Sequence, residues 1–143
     1  MHVRTLTPED AAEYHALRLK GLAEAPTAFA SSHEEEVNTP LAEISRRLQP
    51  KPSGAIFGAF SEGRLAGLAG IERESMAKLS HKAYLWGMYV SPEHRGAGVG
   101  FLLLEHALPY AWRSLGVVQV NLGVHTENAS AMNRTGFRGG LLA

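Results

Sequence analysis

The chain has 143 residues, 45% of them apolar and 20% charged, which suits one globular domain and is too apolar for a disordered segment. Lys plus Arg and Asp plus Glu number 14 each, so the formal charge is zero and general electrostatic binding of nucleic acid or an anionic membrane is disfavoured. There is no Cys, which excludes disulfides, thiolate metal sites and cysteine nucleophiles.

The start, Met1-His2-Val3-Arg4-Thr5, lacks the apolar core of a signal peptide. No wholly apolar run is longer than Phe101–Leu104, far too short to span a bilayer. A cytoplasmic soluble protein, one domain over residues 1–143, is expected. A short strand is expected ahead of Thr7. Thr7-Pro8-Glu9-Asp10 is a helix start: Thr7 suits the N-cap, Pro8 the first turn, and the acids the positive end of the dipole. Ala11, Tyr14, Leu17 and Gly21 follow at helical spacing to an end near Ala25-Pro26. A second helix starts at Thr39-Pro40, carries Leu41, Ile44 and Leu48 on one face, and stops before Pro50-Lys51-Pro52. Ala55–Ser61 and Arg64–Arg73 flank the turn signal Glu62-Gly63 and predict a hairpin. Gly58, Gly67 and Gly70 either weaken these strands or mark close packing.

Met76–Ser80 reads as a loop, and Tyr84–Val90 as a buried strand ended by Ser91-Pro92. Gly98–Leu115 places Phe101, Leu104, Leu108, Ala111 and Leu115 at helical spacing, and Gly116 closes it. Pro109 is expected to kink or split that helix. Val117–Val124 is a further strand and Asn128–Asn133 a short helix. The order β, α, α, β, β, β, α, β, α predicts an α/β (α+β) domain with one sheet and helices on its faces.

The chemically informative stretch is Val90-Ser91-Pro92-Glu93-His94-Arg95-Gly96-Ala97-Gly98-Val99-Gly100-Phe101. It joins a buried strand to a long helix through three glycines in five positions. Glycine lets the backbone approach a ligand closely, and the helix start offers unpaired N–H groups at a positive dipole end, which suits phosphate or pyrophosphate. Arg95 adds a charge with bidentate reach. The alternative is a flexible loop with a helix cap. The dinucleotide G-x-G-x-x-G, the P-loop and the hydrolase G-x-S-x-G do not fit.

Arg95-x-x-Gly98-x-Gly100 after a strand ending Tyr89-Val90-Ser91-Pro92 resembles the coenzyme-A-binding motif of the GNAT superfamily of N-acetyltransferases. Arg18–Glu36, the hairpin, the buried strand, the long helix and Val124-x-x-x-Asn128-x-x-Ala131 follow in family order, so the likeness covers nearly the whole chain. The resemblance implies a GNAT-like mixed, mostly antiparallel sheet flanked by helices and splayed between its two central strands. It implies acetyl-CoA as co-substrate, with the pyrophosphate on the amides of Arg95, Gly96, Ala97, Gly98, Val99 and Gly100. The pantetheine arm would lie between the strands Tyr84–Val90 and Val117–Val124, against the backbone near Met88, Tyr89 and Val90. A backbone N–H there would stabilise the oxyanion. Asn128 would reach the pantetheine or cap its helix.

The implied reaction is acetyl transfer from acetyl-CoA to a small-molecule or peptide primary amine by direct attack in a ternary complex. The rivals are a non-catalytic acyl-CoA-binding module and a plain nucleotide-phosphate-binding domain. No nucleic acid or membrane partner is expected, and a homodimer stays open. The family's late motif usually runs Asn-x-x-Ala-x-x-Leu-Tyr before a Gly-Phe, and that Tyr protonates the departing thiolate. Here Gly136-Phe137 comes about three residues early and the Leu-Tyr pair is absent. Either the protein is a shortened, weakened member, or a segment near Met132–Arg134 and a tail after Ala143 are missing from the sequence.

For proton transfer, Tyr84 occupies the position that holds a carboxylate base in some members, though a tyrosine is a poor base at neutral pH. Glu72, at the end of its strand, could face the same groove, and His125 could act through water or be a surface residue. Glu34–Glu36 reads as a solvated face, or by resemblance as acids that draw a cationic amine into the acceptor groove. His94 faces phosphate or solvent, and Trp86 and Trp112 read as core. No histidine pair has metal-ligand spacing, so no metal is expected.

Overall fold

A computed structural model describes residues 1–24, 32–122 and 141–142. Its strands lie in the sheet in chain order: β1 His2–Thr5, β2 Gly54–Ser61, β3 Arg64–Arg73, β4 Lys82–Val90, β5 Gln119–Leu122 and β6 Leu141–Leu142. Neighbours are antiparallel except β4 and β5, which run parallel. A parallel pair needs a long crossover, and helix α4, Val99–Arg113, supplies it. Helices α1 Ala11–Glu24, α2 His33–Glu36 and α3 Leu41–Arg47 lie in the chain between β1 and β2. This is the mixed, mostly antiparallel, helix-flanked sheet that the sequence implies.

Each face of the sheet has its own apolar cluster. On one, Leu103, Leu104, Ala107, Leu108 and Ala111 of α4 pack on Phe57, Ala69, Ile71, Ala83 and Leu85. On the other, Tyr14, Leu17 and Ile44 from α1 and α3 pack on Phe60, Leu68 and Tyr89. Two glycines admit these partners. A Cβ on Gly67 would lie 2.9 Å from Val99, at the start of α4, and one on Gly70 would lie 2.2 Å from the Trp86 indole.

The register of β3 against β4 slips once. Leu68 pairs with Tyr89, but Gly70 pairs with Trp86, so Gly87 and Met88 together oppose one β3 residue. Gly87 takes φ +62°, the left-handed backbone that glycine reaches without a Cβ clash. This bulge changes which face each later β4 side chain meets. Tyr84 and Trp86 precede it; past it Met88 joins the α4 cluster and Tyr89 the α1 cluster.

Four sequence expectations change. Pro109 neither splits nor ends α4, which runs through it. The proline removes a single donor, to the carbonyl of Glu105, and that residue lies on the exposed side of the helix. The Met76–Ser80 loop contains one 3-10 turn, Ala77–Leu79. The strand expected at Val117 begins at Gln119, because the Val117 N–H closes α4 by donating to Ala111 O at 3.2 Å. Finally, Glu36 is not solvated: it is 6% exposed and sits in α2. The expected helix Asn128–Asn133 lies outside the described residues.

Replacing Gly70 with alanine drives a methyl group into the Trp86 ring. Gly70→Ala is expected to lose roughly 1–3 kcal/mol, the usual cost of overpacking. Urea denaturation should show a lowered midpoint with an unchanged slope.

Candidate active site

Strand β4 ends at Val90 and the chain turns through a 3-10 segment, Pro92–His94, before α4 begins. The turn is held from within. Ser91 N–H donates to Ala66 O at 2.8 Å, and the Ser91 hydroxyl lies 2.8 Å from His94 Nδ1. His94 is thus committed to the turn. Gly98 is the N-cap of α4 at φ +80°, and Gly96 has φ +82°. A β-carbon at Gly98 would be strained there, which explains the glycine. Among the described residues, the amides of Gly96, Gly98, Val99, Gly100 and Phe101 donate to no main-chain carbonyl. Gly96 and Ala97 are exposed, while the Val99 side chain is buried and anchors the loop to the sheet. Five open N–H groups at a helix N-terminus form an anion cradle.

The last turn of α1 clamps this loop. Glu24 contacts the Arg95 guanidinium and accepts a hydrogen bond of 2.9 Å from the Tyr89 hydroxyl. Arg95 Nε donates to Val90 O at 3.1 Å, and its guanidinium lies 5.5 Å from the Tyr89 ring centre. Lys20 approaches Glu93 at 3.6 Å. The Tyr89 hydroxyl and Arg95 hold the Glu24 carboxyl below its ordinary range. Burial and the bond to Glu24 push the Tyr89 phenol up to about 12.

Beside the cradle, the far end of β4 has no β5 partner among the described residues. β5 pairs with β4 only over Lys82–Leu85, and among the described residues no strand covers Trp86–Val90 on that side. The bulge falls in this open length, and the extra residue's main-chain groups leave the β3 ladder there. Met88, Tyr89 and Val90 therefore adjoin both the opening and the loop.

On the α1 and α3 face, a cavity of about 550 Å³ lies against the sheet. Tyr14, Arg18, Lys51, Glu72 and Trp86 are among its walls. Arg18 is 8% exposed and grips Glu36 through two hydrogen bonds, 2.6 and 2.8 Å. Its guanidinium also lies 5.6 Å from the Trp86 ring centre. The expected role of Glu36 as a free acid for a cationic amine is thereby overturned, because the carboxylate is neutralised by a buried partner.

Tyr84 and Glu72 are direct cross-strand partners, so they share a face. Glu72 pairs with Lys51 at 3.0 Å. Tyr84 is 37% exposed, and burial followed by Glu72 and Glu74 raises its phenol, which keeps it protonated at neutral pH. Trp86 is half-buried and borders the cavity instead of lying in the core, while Trp112 packs against the α4 cluster. Sequence reasoning missed the bulge at Gly87, the clamp from Glu24 and Lys20, and the basic cavity wall. A glycine inside the run Leu85-Trp86-Gly87-Met88 was the one local sign of the bulge. His125 and Asn128 lie outside the described residues. Among those residues, no helix is long and apolar enough to cross a membrane.

The sequence matches the model of the acetyltransferase (GNAT) family over residues 20–135. The fold is similar to an acetyltransferase of the GNAT family from Streptococcus pneumoniae, with TM-score 0.75 and 24% identity over 94% of this chain and 81% of that one. It is similar to YncA from Salmonella typhimurium, solved with its cofactor acetyl-CoA, with TM-score 0.73 and 21% identity over 93% and 75%. A ribosomal-protein-alanine N-acetyltransferase from Brucella melitensis gives TM-score 0.69 and 22% identity over 95% and 83%. No curated protein sequence matches significantly.

An anion cradle of main-chain amides binds without side-chain charge, so inorganic pyrophosphate should stabilise the protein. At tenfold over its dissociation constant the gain is about 1.4 kcal/mol, a few degrees in melting temperature. Gly98→Val should abolish that shift. A thermal melt with and without pyrophosphate reads both.

Proposed function

The chain belongs to the GNAT acetyltransferase family, whose acetyl donor is acetyl-CoA, and we propose that it transfers the acetyl group to a primary amine by direct attack in a ternary complex. One observation carries this reading: amides of Gly96, Gly98, Val99, Gly100 and Phe101 that donate to no main-chain carbonyl among the described residues directly follow a bulged strand which, among those residues, β5 pairs only as far as Leu85. A pyrophosphate needs such donors, and an extended thioester arm needs such a strand.

The residues fit the donor. Gly96, Gly98, Val99 and Gly100 offer main-chain N–H groups, and a Cβ built on Gly96 would meet nothing within 4 Å. Arg95 stands at the loop's start, with Ala97 between the two glycines at positive φ. Met88, Tyr89 and Val90 offer backbone to the arm, and an N–H freed by the bulge would stabilise the oxyanion. Acetyl-CoA supplies an activated acetyl thioester with a good leaving group. Asn128 would contact the pantetheine, as the family motif implies, and His125, which follows the strand Val117–Val124 in sequence, would act as a base through water.

Glu72 and Tyr84 sit together on the cavity side of the sheet. Glu72 would take the acceptor's proton, with the Tyr84 hydroxyl orienting water or the amine. Holding both substrates in line supplies most of the rate, since attack on a thioester requires no covalent enzyme intermediate. The Tyr89 hydroxyl is bonded to Glu24, which argues against it as the donor to the leaving thiolate.

Acetyl-CoA should raise the melting temperature with dose, and Gly98→Val should weaken its binding by more than about tenfold by calorimetry. With an amine present, free coenzyme A should appear in a saturable way. A thiol-reactive dye reads it cleanly, because the protein has no Cys. Binding without any release would leave the acyl-CoA-binding module. Absence of binding at millimolar acetyl-CoA would remove the assignment of this site.

A further inference from the structure

We propose that the acceptor is a primary amine that also carries an anion, a carboxylate or a phosphate, held at the Arg46, Arg47 and Lys51 rim of the cavity; this rests on the transferase reading above. The charged side chains lining the cavity, among the described residues, are Arg18, Arg46, Arg47, Lys51 and Glu72. Arg18 is matched by Glu36, and Lys51 by Glu72. Arg46 and Arg47 share one carboxylate. Glu43 accepts from Arg46 at 2.9 and 2.5 Å and stands 3.5 Å from Arg47. Among the described residues, one positive charge is left over at this end.

The geometry suits an exchangeable anion. The side chains of Arg46, Lys51 and Arg47 are 68%, 51% and 45% exposed. Ion pairs so exposed are weak, so an incoming carboxylate or phosphate displaces Glu43 at little cost. The guanidinium fork binds either anion through two parallel bonds. Trp86, next to the bulge, lines the same cavity, so an acceptor anchored at the rim extends along the cavity toward the bulged end of β4.

The same surplus selects against the alternative. A cationic environment disfavours an ammonium and promotes the neutral amine that attack requires. A diamine would meet repulsion at the rim instead of a partner. In the reaction, the acceptor nitrogen forms a C–N bond to the acetyl carbon as the C–S bond breaks. The bonding pair leaves with sulfur, and the proton lost from nitrogen balances the thiolate.

Matched acceptors test this at saturating acetyl-CoA, with coenzyme A release as readout. β-Alanine is compared with its amide, O-phosphoethanolamine with ethanolamine, and 1,4-diaminobutane stands for a dication. At least one anionic member should exceed its neutral partner in kcat/KM by about tenfold, mainly through KM. The pair that separates more tells carboxylate from phosphate. In the double variant Arg47→Gln/Lys51→Gln that ratio should fall toward one; being taken within one variant, it cancels effects on folding or donor binding. Equal or better turnover of the neutral amines or the diamine overturns the anion and leaves acetyl transfer standing. A ratio that survives the double variant overturns the rim as its site. No release from any acceptor, with the acetyl-CoA thermal shift intact, overturns the transferase reading and this inference with it.

Discussion

The one extra residue in β4 governs the rest of the site. Side chains alternate along a strand, so an insertion of one reverses every later position. Without it Met88 would share the face of Tyr84 and Trp86, and Tyr89 would point toward α4. With it Met88 enters the α4 cluster and the Tyr89 ring lies beneath α1. From there its hydroxyl reaches Glu24. The clamp on the loop thus depends on a register slip three residues before the loop begins. Gly87 makes the slip cheap, since φ +62° strains other residue types.

One rigid element ties the two halves of the site. Tyr14 and Arg18, a turn apart on α1, line the cavity, while Lys20 and Glu24 face the anion loop. A small rotation of α1 therefore moves the cavity wall and the amide cradle together. The individual contacts are modest, because half-exposed ion pairs contribute roughly 0–1 kcal/mol each. Their value lies in direction. Glu24 holds Arg95 over Tyr89, and Arg95 in turn bonds the last carbonyl of β4, so strand, loop and helix share one cluster.

Long periodic segments were legible in the sequence. Tyr14 and Leu17 on α1, the β2–β3 hairpin and the apolar stripe of α4 all follow from spacing and turn residues. The turn into α4 was legible too, because three alternating glycines between a strand and a helix permit the positive φ that Gly96 and Gly98 take. Pairings between distant residues were not. Nothing local in Glu34-Glu35-Glu36 marks the third acid as the buried partner of a residue 18 positions earlier. The faces of β4 were misjudged for the same reason: period-2 reading assumes an unbroken register, and Trp86 was placed in the core when it borders a cavity.

The Arg18–Glu36 pair shows why composition misleads about such a pocket. Burying two charges costs desolvation that their attraction only partly returns, so the pair is a poor source of net stability. Removing one partner, however, strands the other, at roughly 3–5 kcal/mol. The pair pins α2 to α1 and leaves the guanidinium over Trp86. Its larger effect is on the sign of the cavity. Glu36 is neutralised in the interior, and Glu43 must serve two arginines. A chain whose formal charges cancel overall can thereby carry a cavity with a positive wall. Local pairing decides the field that a substrate meets, and pairing is settled only when the helices are packed.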